Sequence, residues 1–315
     1  MGTLIARRLL TFVPILLIVS FFVFLLIALV PGDAAVTLAG GDNASKERIA
    51  EVRHQLHLDD PFPQQYGRWL SNAVQGDLGS SLYSKGAVID AIGERFPVTL
   101  SLVLATFVLS LLIGIPSGIL SALRPGDRAD KGSRIATSIG LSIPDYWLAI
   151  ELVVLFAVTW RLLPAVGYTP FFENPVEWLR GITLPAVALA IPIGARLSRQ
   201  LRAALIDVLD TNYIRTAWAK GGNTRLIVLK HGLKNAAIPA VTLLGVEIGY
   251  LIGGTVIIEQ IFSIPGMGTY FINAVPSRDV PVIQGCVLVF ALAAMTMSLV
   301  ADLAYGLLNP KVRVR

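Results

Sequence analysis

Six apolar stretches divide this chain, roughly Leu9 to Val30, Val98 to Leu123, Ile135 to Trp160, Ile182 to Ala195, Ala236 to Ile258 and Val282 to Leu308. About 20 residues of helix cross a hydrocarbon core, and only helices or closed barrels satisfy their backbone there. The pattern predicts an all-α integral membrane protein with six transmembrane helices. With 54% hydrophobic and 15% charged residues, the 315-residue chain lacks the composition of a water-soluble domain. The fourth stretch is short and contains Pro185 and Pro192, so it is expected to borrow length from the polar helix after it or to be sheltered by its neighbours.

Arg7 and Arg8 before the first stretch, with Ala34 and Ala35 after it, raise a signal-peptide reading. The run exceeds the roughly 7–15 residues of a signal h-region, and a retained helix is expected instead. The single cysteine, Cys286, lies in an apolar run and reads as a buried thiol.

The formal charge of +5 points to topology rather than to nucleic acid, because the basic residues flank apolar segments instead of forming one surface. Arg7, Arg8, Arg124, Arg128, Lys131, Arg134, the segment from Arg196 to Lys234, and Lys311, Arg313 and Arg315 fall on one side; short loops on the other hold only Arg161, Arg180 and Arg278. Both termini are therefore expected in the cytoplasm of a multi-pass cytoplasmic (inner) membrane protein. The organisation expected is 1–30 as an N-terminal segment with the first helix, 31–97 as an extracytoplasmic helical loop, and 98–315 as a transmembrane domain of five helices.

Within the outer loop, Ile49, Val52 and Leu56, then Tyr66, Trp69, Leu70 and Val74, recur at helical spacing and predict two short amphipathic helices. Asp59, Asp60 and Pro61 separate them, and Gly76, Asp77 and Gly79 supply the closing turn. A cap over the helix ends and a dedicated ligand-binding unit are both open readings of this loop.

There is no G-x-x-x-x-G-K-[ST] phosphate loop, no His-Glu-x-x-His and no metal-spaced Cys/His cluster in the sequence. No catalytic residue and no metal site are expected, and the chain reads as a transporter subunit rather than an enzyme. His54 and His57 read as a solvated helix face. The informative polar segment is Tyr213 to Pro239, YIRTAWAKGGNTRLIVLKHGLKNAAIP. Its Gly221-Gly222-Asn223 break lets the backbone reverse, leaving a short exposed helix near Asn212 to Lys220. Positive-inside bias alone explains its cations, but not its length or the glycine break.

These residues resemble the EAA loop of ATP-binding-cassette importer permeases, in the form found in dipeptide and oligopeptide permeases. Tyr213, Ile214, Arg215, Thr216, Ala217, Ala219, Lys220 and Gly221 match, followed by His231, Leu233, Asn235 and Pro239. Trp218 departs, standing where that branch usually has a basic residue. Further words spread over the chain resemble the first (B-type) permease subunit of such systems: Asp60-Pro61, Gln65-Tyr66, Trp69-Leu70, Gly76-Asp77-Leu78-Gly79, the run Glu259 to Gly268, and Asn309-Pro310-Lys311.

The resemblance implies a heterodimer with a second permease subunit, two ATPase subunits below, and an extracytoplasmic peptide-binding protein that delivers peptide. It also implies that ATP and Mg bind the partner ATPase subunits, with no cofactor on this chain. ATPase coupling would fall on Arg215, Thr216, Ala217, Trp218, Ala219, Lys220 and Gly221 in a cytoplasmic coupling helix. Related importers of nickel or other small solutes share much of the pattern and stay open. From other classes, a self-sufficient proton-coupled carrier and a membrane-embedded enzyme are the alternatives.

Asp145, Glu151, Glu247 and Asp302 fall in or near apolar stretches, where an unpaired charge costs at least about 2.5 kcal/mol. Glu247, near the middle of its stretch, is the candidate for lining the pathway; a hydrogen bond to the partner permease is the other reading. The stretch Phe262 to Tyr270 suits a continuous helix poorly. Pro265, Gly266 and Gly268 are its candidate outer gate, with a mere seal of the bundle as the alternative.

Overall fold

A computed structural model describes residues 2–29, 36, 45–55 and 59–308. Ala34, Ala35, His57 and the 309–315 segment lie outside the described residues. The helices are α1 Gly2–Leu29, α2 Lys46–Gln55, α3 Phe62–Val74, α4 Val88–Leu123, α5 Arg128–Ser142, α6 Asp145–Leu152, α7 Pro175–Leu209, α8 Asn212–Ala219, α9 Leu233–Ile261, α10 Met267–Ser277 and α11 Val280–Leu308. Among the described residues there is no β-strand, only a bridge between Ser80 and Ala87.

Four rods among the described residues are long and apolar enough to cross a membrane: α4, α7, the continuous run Thr224–Ile261 that ends in α9, and Val280–Ala304 of α11. The first apolar stretch lies within α1, whose apolar part Leu10–Leu25 is shorter. The third expected helix, Ile135 to Trp160, is not continuous: α5 and α6 meet at a 101° bend. Pro144 is the cause. A proline clashes with a helical residue before it, and Ile143 is accordingly extended (φ −93°, ψ 125°). Helix α4 starts at Val88, ten residues before the second apolar stretch.

The chain forms two compact units, residues 1–8, 97–269 and 293–315 in one, and 9–96 and 270–292 in the other. In the larger, α7 is central and packs against α5, α6 and α9. Its start is well specified. Asn174 caps it by accepting from the Val176 and Glu177 amides at 3.1 and 3.2 Å, and Pro175 fits the first turn. The fourth apolar stretch thus gains length at both ends, and α7 is also largely sheltered by its neighbours.

Close backbone approach explains much of that packing. A Cβ on Gly114 of α4 would stand 2.9 Å from the Gly194 carbonyl and 2.8 Å from Leu197 Cδ2 of α7. Small residues at such crossings let two apolar helices gain dispersion contacts that lipid cannot match. One polar knot ties the same helices: buried Asp130 of α5 accepts both Arg202 Nε (2.7 Å) and Nη2 (2.8 Å) from α7, the Gly126 amide at 2.8 Å, and the Ser121 hydroxyl of α4.

In the smaller unit, the two helices expected in the outer loop are α2 and α3. Phe21 and Phe24 of α1 meet Phe62, Tyr66 and Trp69 in an aromatic cluster of edge-to-face and tilted contacts, and Ser20 hydrogen-bonds the Tyr66 hydroxyl at 2.9 Å. Buried Asp279 accepts from the Ser81 hydroxyl (2.6 Å) and the Leu82 amide (3.2 Å), fixing the turn after α3. Cys286 is buried, as expected.

Gly114→Leu should therefore lower stability by about 1–3 kcal/mol, the usual penalty of overpacking. Gly132→Ala, on an open face of α5 with nothing within 4 Å, should be neutral or slightly stabilising. Thermal melting of the detergent-purified protein distinguishes them.

Candidate functional site

Three constellations hold the residues singled out from the sequence. The first is α8, an eight-residue helix. Ile214 is fully buried and pins it, while Tyr213 and Trp218 are 46% and 39% exposed. The Asn235 amide donates to the Tyr213 hydroxyl at 2.7 Å, which joins α8 to the start of α9. Arg215, Thr216, Ala219 and Lys220 are exposed and Ala217 is half-buried. Arg215 pairs with Asp210 at 2.6 Å, but both side chains are solvent-accessible and such a pair contributes little.

Gly221 closes the helix at φ +77°, a left-handed conformation that favours glycine, and its amide reaches the Trp218 carbonyl at 2.9 Å. Asn223 then restarts the chain by accepting from the Arg225 amide at 2.9 Å. A π-helical stretch, Ile227–Gly232, connects this restart to α9. The short exposed helix and its glycine break stand where the spacing predicted them.

The second constellation surrounds Glu247, at the midpoint of α9. Within the chain its partner is Arg196 of α7, whose Nε and Nη2 donate to Oε1 and Oε2 at 2.5 and 2.8 Å. Glu247 is 7% exposed, so it is a neutralised acid rather than an open one. Both residues line a cavity of about 350 Å³ together with Asp145, Pro192 and Tyr250. Asp145 begins α6, directly after the bend, and one of its oxygens accepts from the Tyr146 amide. Glu151 is exposed, and Asp302 is held by an ion pair with Arg8, whose Nη2 donates to Oδ1 at 2.9 Å.

The third is the turn between α9 and α10. Glu259 is fully buried and accepts the Thr99 hydroxyl at 2.7 Å and the Thr269 amide at 3.1 Å; the Thr99 oxygen in turn accepts the Met267 amide at 2.8 Å. Gly266 and Gly268 lie directly on this carboxyl group, and a Cβ on Gly268 would stand 2.6 Å from Val256 Cα. Phe262, Ile264 and Met267 are buried around it. The Pro265-Gly266-Gly268 segment is thus a packed turn, clamped from beneath by an acid that the sequence reading passed over. In the sequence Arg196 is one cation of a basic segment, with nothing local to single it out. The available signal was an acid or arginine at the edge of an apolar run, which needs an opposite charge nearby.

Among the described residues no group of three or more His, Cys, Asp or Glu side chains could hold a metal ion.

Residues 114–314 match the family described as binding-protein-dependent transport system inner membrane component, and residues 1–103 match the N-terminal model of such membrane components. The chain belongs to this family: it is a multi-pass inner-membrane permease that works with other components of a transport system, and it is not itself an enzyme. It is 39% identical over 313 residues, 99% of both chains, to a protein of Brucella abortus (strain 2308) whose name assigns it to a peptide transport system as permease. It is likewise 39% identical over 309 residues, 98% of both chains, to the glutathione transport system permease protein GsiC of Escherichia coli K12. The fold resembles the inward-facing MetNI methionine ABC transporter, with a TM-score of 0.57 at 18% identity over 70% of this chain and 96% of that one.

Thr99→Val keeps the shape of the side chain but takes one donor from the Glu259 carboxyl and leaves the Met267 amide without its acceptor. A buried group left so costs about 1–3 kcal/mol. Amide hydrogen exchange across residues 262–269 should accelerate markedly, with the exchange of α8 unchanged.

Proposed function

We propose that this chain is one of two permease subunits in an ATP-driven importer of short peptides, with both termini cytoplasmic. The observation that carries the reading is α8: a short helix held by one buried residue, exposing a tryptophan and cations, bounded by a left-handed glycine. Such an element is built to be gripped. The Lys and Arg bias of the short loops puts it on the cytoplasmic side, where nucleotide is. The names of the peptide and glutathione permeases that the chain resembles support peptide as the solute.

In this reading ATP and Mg reside on two ATPase subunits, and a soluble binding protein delivers peptide from outside. Closure of the ATPases pushes α8. The push enters α9 through the Tyr213–Asn235 hydrogen bond and the core through Ile214, and rocks the helices between inward-open and outward-open states. Arg215, Thr216, Ala217, Trp218, Ala219, Lys220 and Gly221 bear shape and packing rather than acid–base chemistry. Pro265, Gly266 and Gly268 form part of the outer closure, held by Glu259.

Trp218→Ala and Gly221→Val should leave the complex assembled in the membrane while peptide-stimulated ATP hydrolysis falls by about ten-fold, the scale of one hot-spot aromatic at an interface. Purified complex with undiminished stimulation overturns the coupling role, and a wild-type complex stimulated by no peptide overturns the choice of solute.

A further inference from the structure

The Arg196–Glu247 pair is more than a structural brace. Glu247 occupies the midpoint of α9, an apolar rod long enough to cross a bilayer, so the arginine that meets it lies at membrane depth. Yet the Arg196 side chain is 41% exposed while that of Glu247 is 9% exposed. A guanidinium at that depth is tolerated only where it faces water or protein. The exposed part of Arg196 therefore looks into the cavity, not into lipid. Its Nε and Nη2 are consumed by Glu247, and Nη1 has no acceptor among the described residues.

Two further features make the cavity a binding site. Its volume, about 350 Å³, lies within the range of pockets that hold small ligands. Its wall also holds Asp145, which uses one oxygen to accept the Tyr146 amide and has no described partner for the other. The cavity thus offers a fixed cationic donor and an anionic acceptor on walls of Leu189, Pro192, Ile193 and Tyr250. A larger groove of about 630 Å³ between α4 and α7 has no charged side chain in its lining and offers no such pair.

We propose that this cavity recognises the termini of a zwitterionic peptide during passage: Arg196, oriented by Glu247, binds the α-carboxylate through Nη1, and Asp145 binds the α-ammonium. Glu247 acts as a positioning residue that spreads the guanidinium and keeps it at the wall. The pair also explains how an arginine stays in place without trapping its ligand, because Glu247 already neutralises its charge. The ligand is then held by directed hydrogen bonds more than by a net field. This deepens the peptide-importer reading and rests on it.

The test uses the whole complex in proteoliposomes, with each peptide supplied at saturation of the binding protein, so that rates report steps after delivery. Trialanine, its carboxy-terminal amide and its N-acetyl form are compared. Wild type should import trialanine faster than the amide by about ten-fold, the scale of one lost charge-assisted hydrogen bond. The double variant Arg196→Gln with Glu247→Gln removes both charges together and avoids stranding a buried acid; it should bring the two rates within about two-fold of each other. Asp145→Asn should do the same for trialanine against its N-acetyl form and leave the amide comparison unchanged.

A variant that slows all peptides equally, or leaves the ratios as in wild type, overturns the site and assigns the pair to packing or to contact with the second permease. A wild-type ratio near one overturns it as well. Import of none of the three peptides by a wild-type complex that hydrolyses ATP overturns the peptide reading, and this site with it.

Discussion

Charge inside an apolar bundle must be matched by charge, and in this protein α7 supplies the match. Arg196 meets Glu247 of α9, and one side of the same helix further along, Arg202 meets Asp130 of α5. Each contact is bidentate, the geometry in which a guanidinium and a carboxylate exchange most hydrogen-bond energy and leave least orientation free. Removing the arginine of either pair leaves a buried carboxylate without its partner, so each pair fixes the rotation of α7 against its neighbour. Gly114, Gly118 and Gly194 complete the arrangement by letting α4 and α7 approach to backbone contact.

A rigid α7 has consequences for the elements hung from it. It ends at Leu209, and Thr211, extended at φ −73° and ψ 152°, turns the chain into α8. Because α8 is eight residues long and has one fully buried side chain, it has little hold of its own. Its orientation is borrowed from Ile214 in the core and from the Asn235 hydrogen bond to Tyr213. The Glu259 clamp does comparable work for the turn between α9 and α10. One carboxyl group organises Thr99, Met267 and Thr269, drawn from separate parts of the chain, and glycine at 266 and 268 is what lets the backbone lie against it.

Much of this was legible in the residues themselves. The helices α4, α9 and α11 stand where uninterrupted apolar runs predict them, and α2 and α3 where apolar residues recur at helical spacing. The short helix before Gly221 was legible because glycine at a left-handed turn is a local requirement, written in local sequence. The break at Ile143 was equally local, since Pro144 forbids a helical residue before it, but apolar length outweighed it in the reading and a single span was expected. The polar extension of α7 beyond the fourth stretch was legible from that stretch's shortness, but its start was hidden: hydropathy marks where a helix meets lipid, whereas Asn174 and Pro175 mark where it begins.

The pairing of charges was not legible. Glu247 was visible as an acid in an apolar run, which demands a partner, yet nothing local says which partner. Arg196 lies 51 residues away, and Thr99 lies 160 residues from Glu259. The sequence by itself determined the solvent of the fold, its helical class, and the short exposed helix with its left-handed glycine, because these follow from hydropathy, backbone sterics and spacing within a turn or two of helix. The tertiary structure alone decided that Glu247 pairs with Arg196, that Arg196 lines the cavity, and that Glu259 holds the turn, because Coulombic and hydrogen-bond partners are chosen by the packing of distant helices.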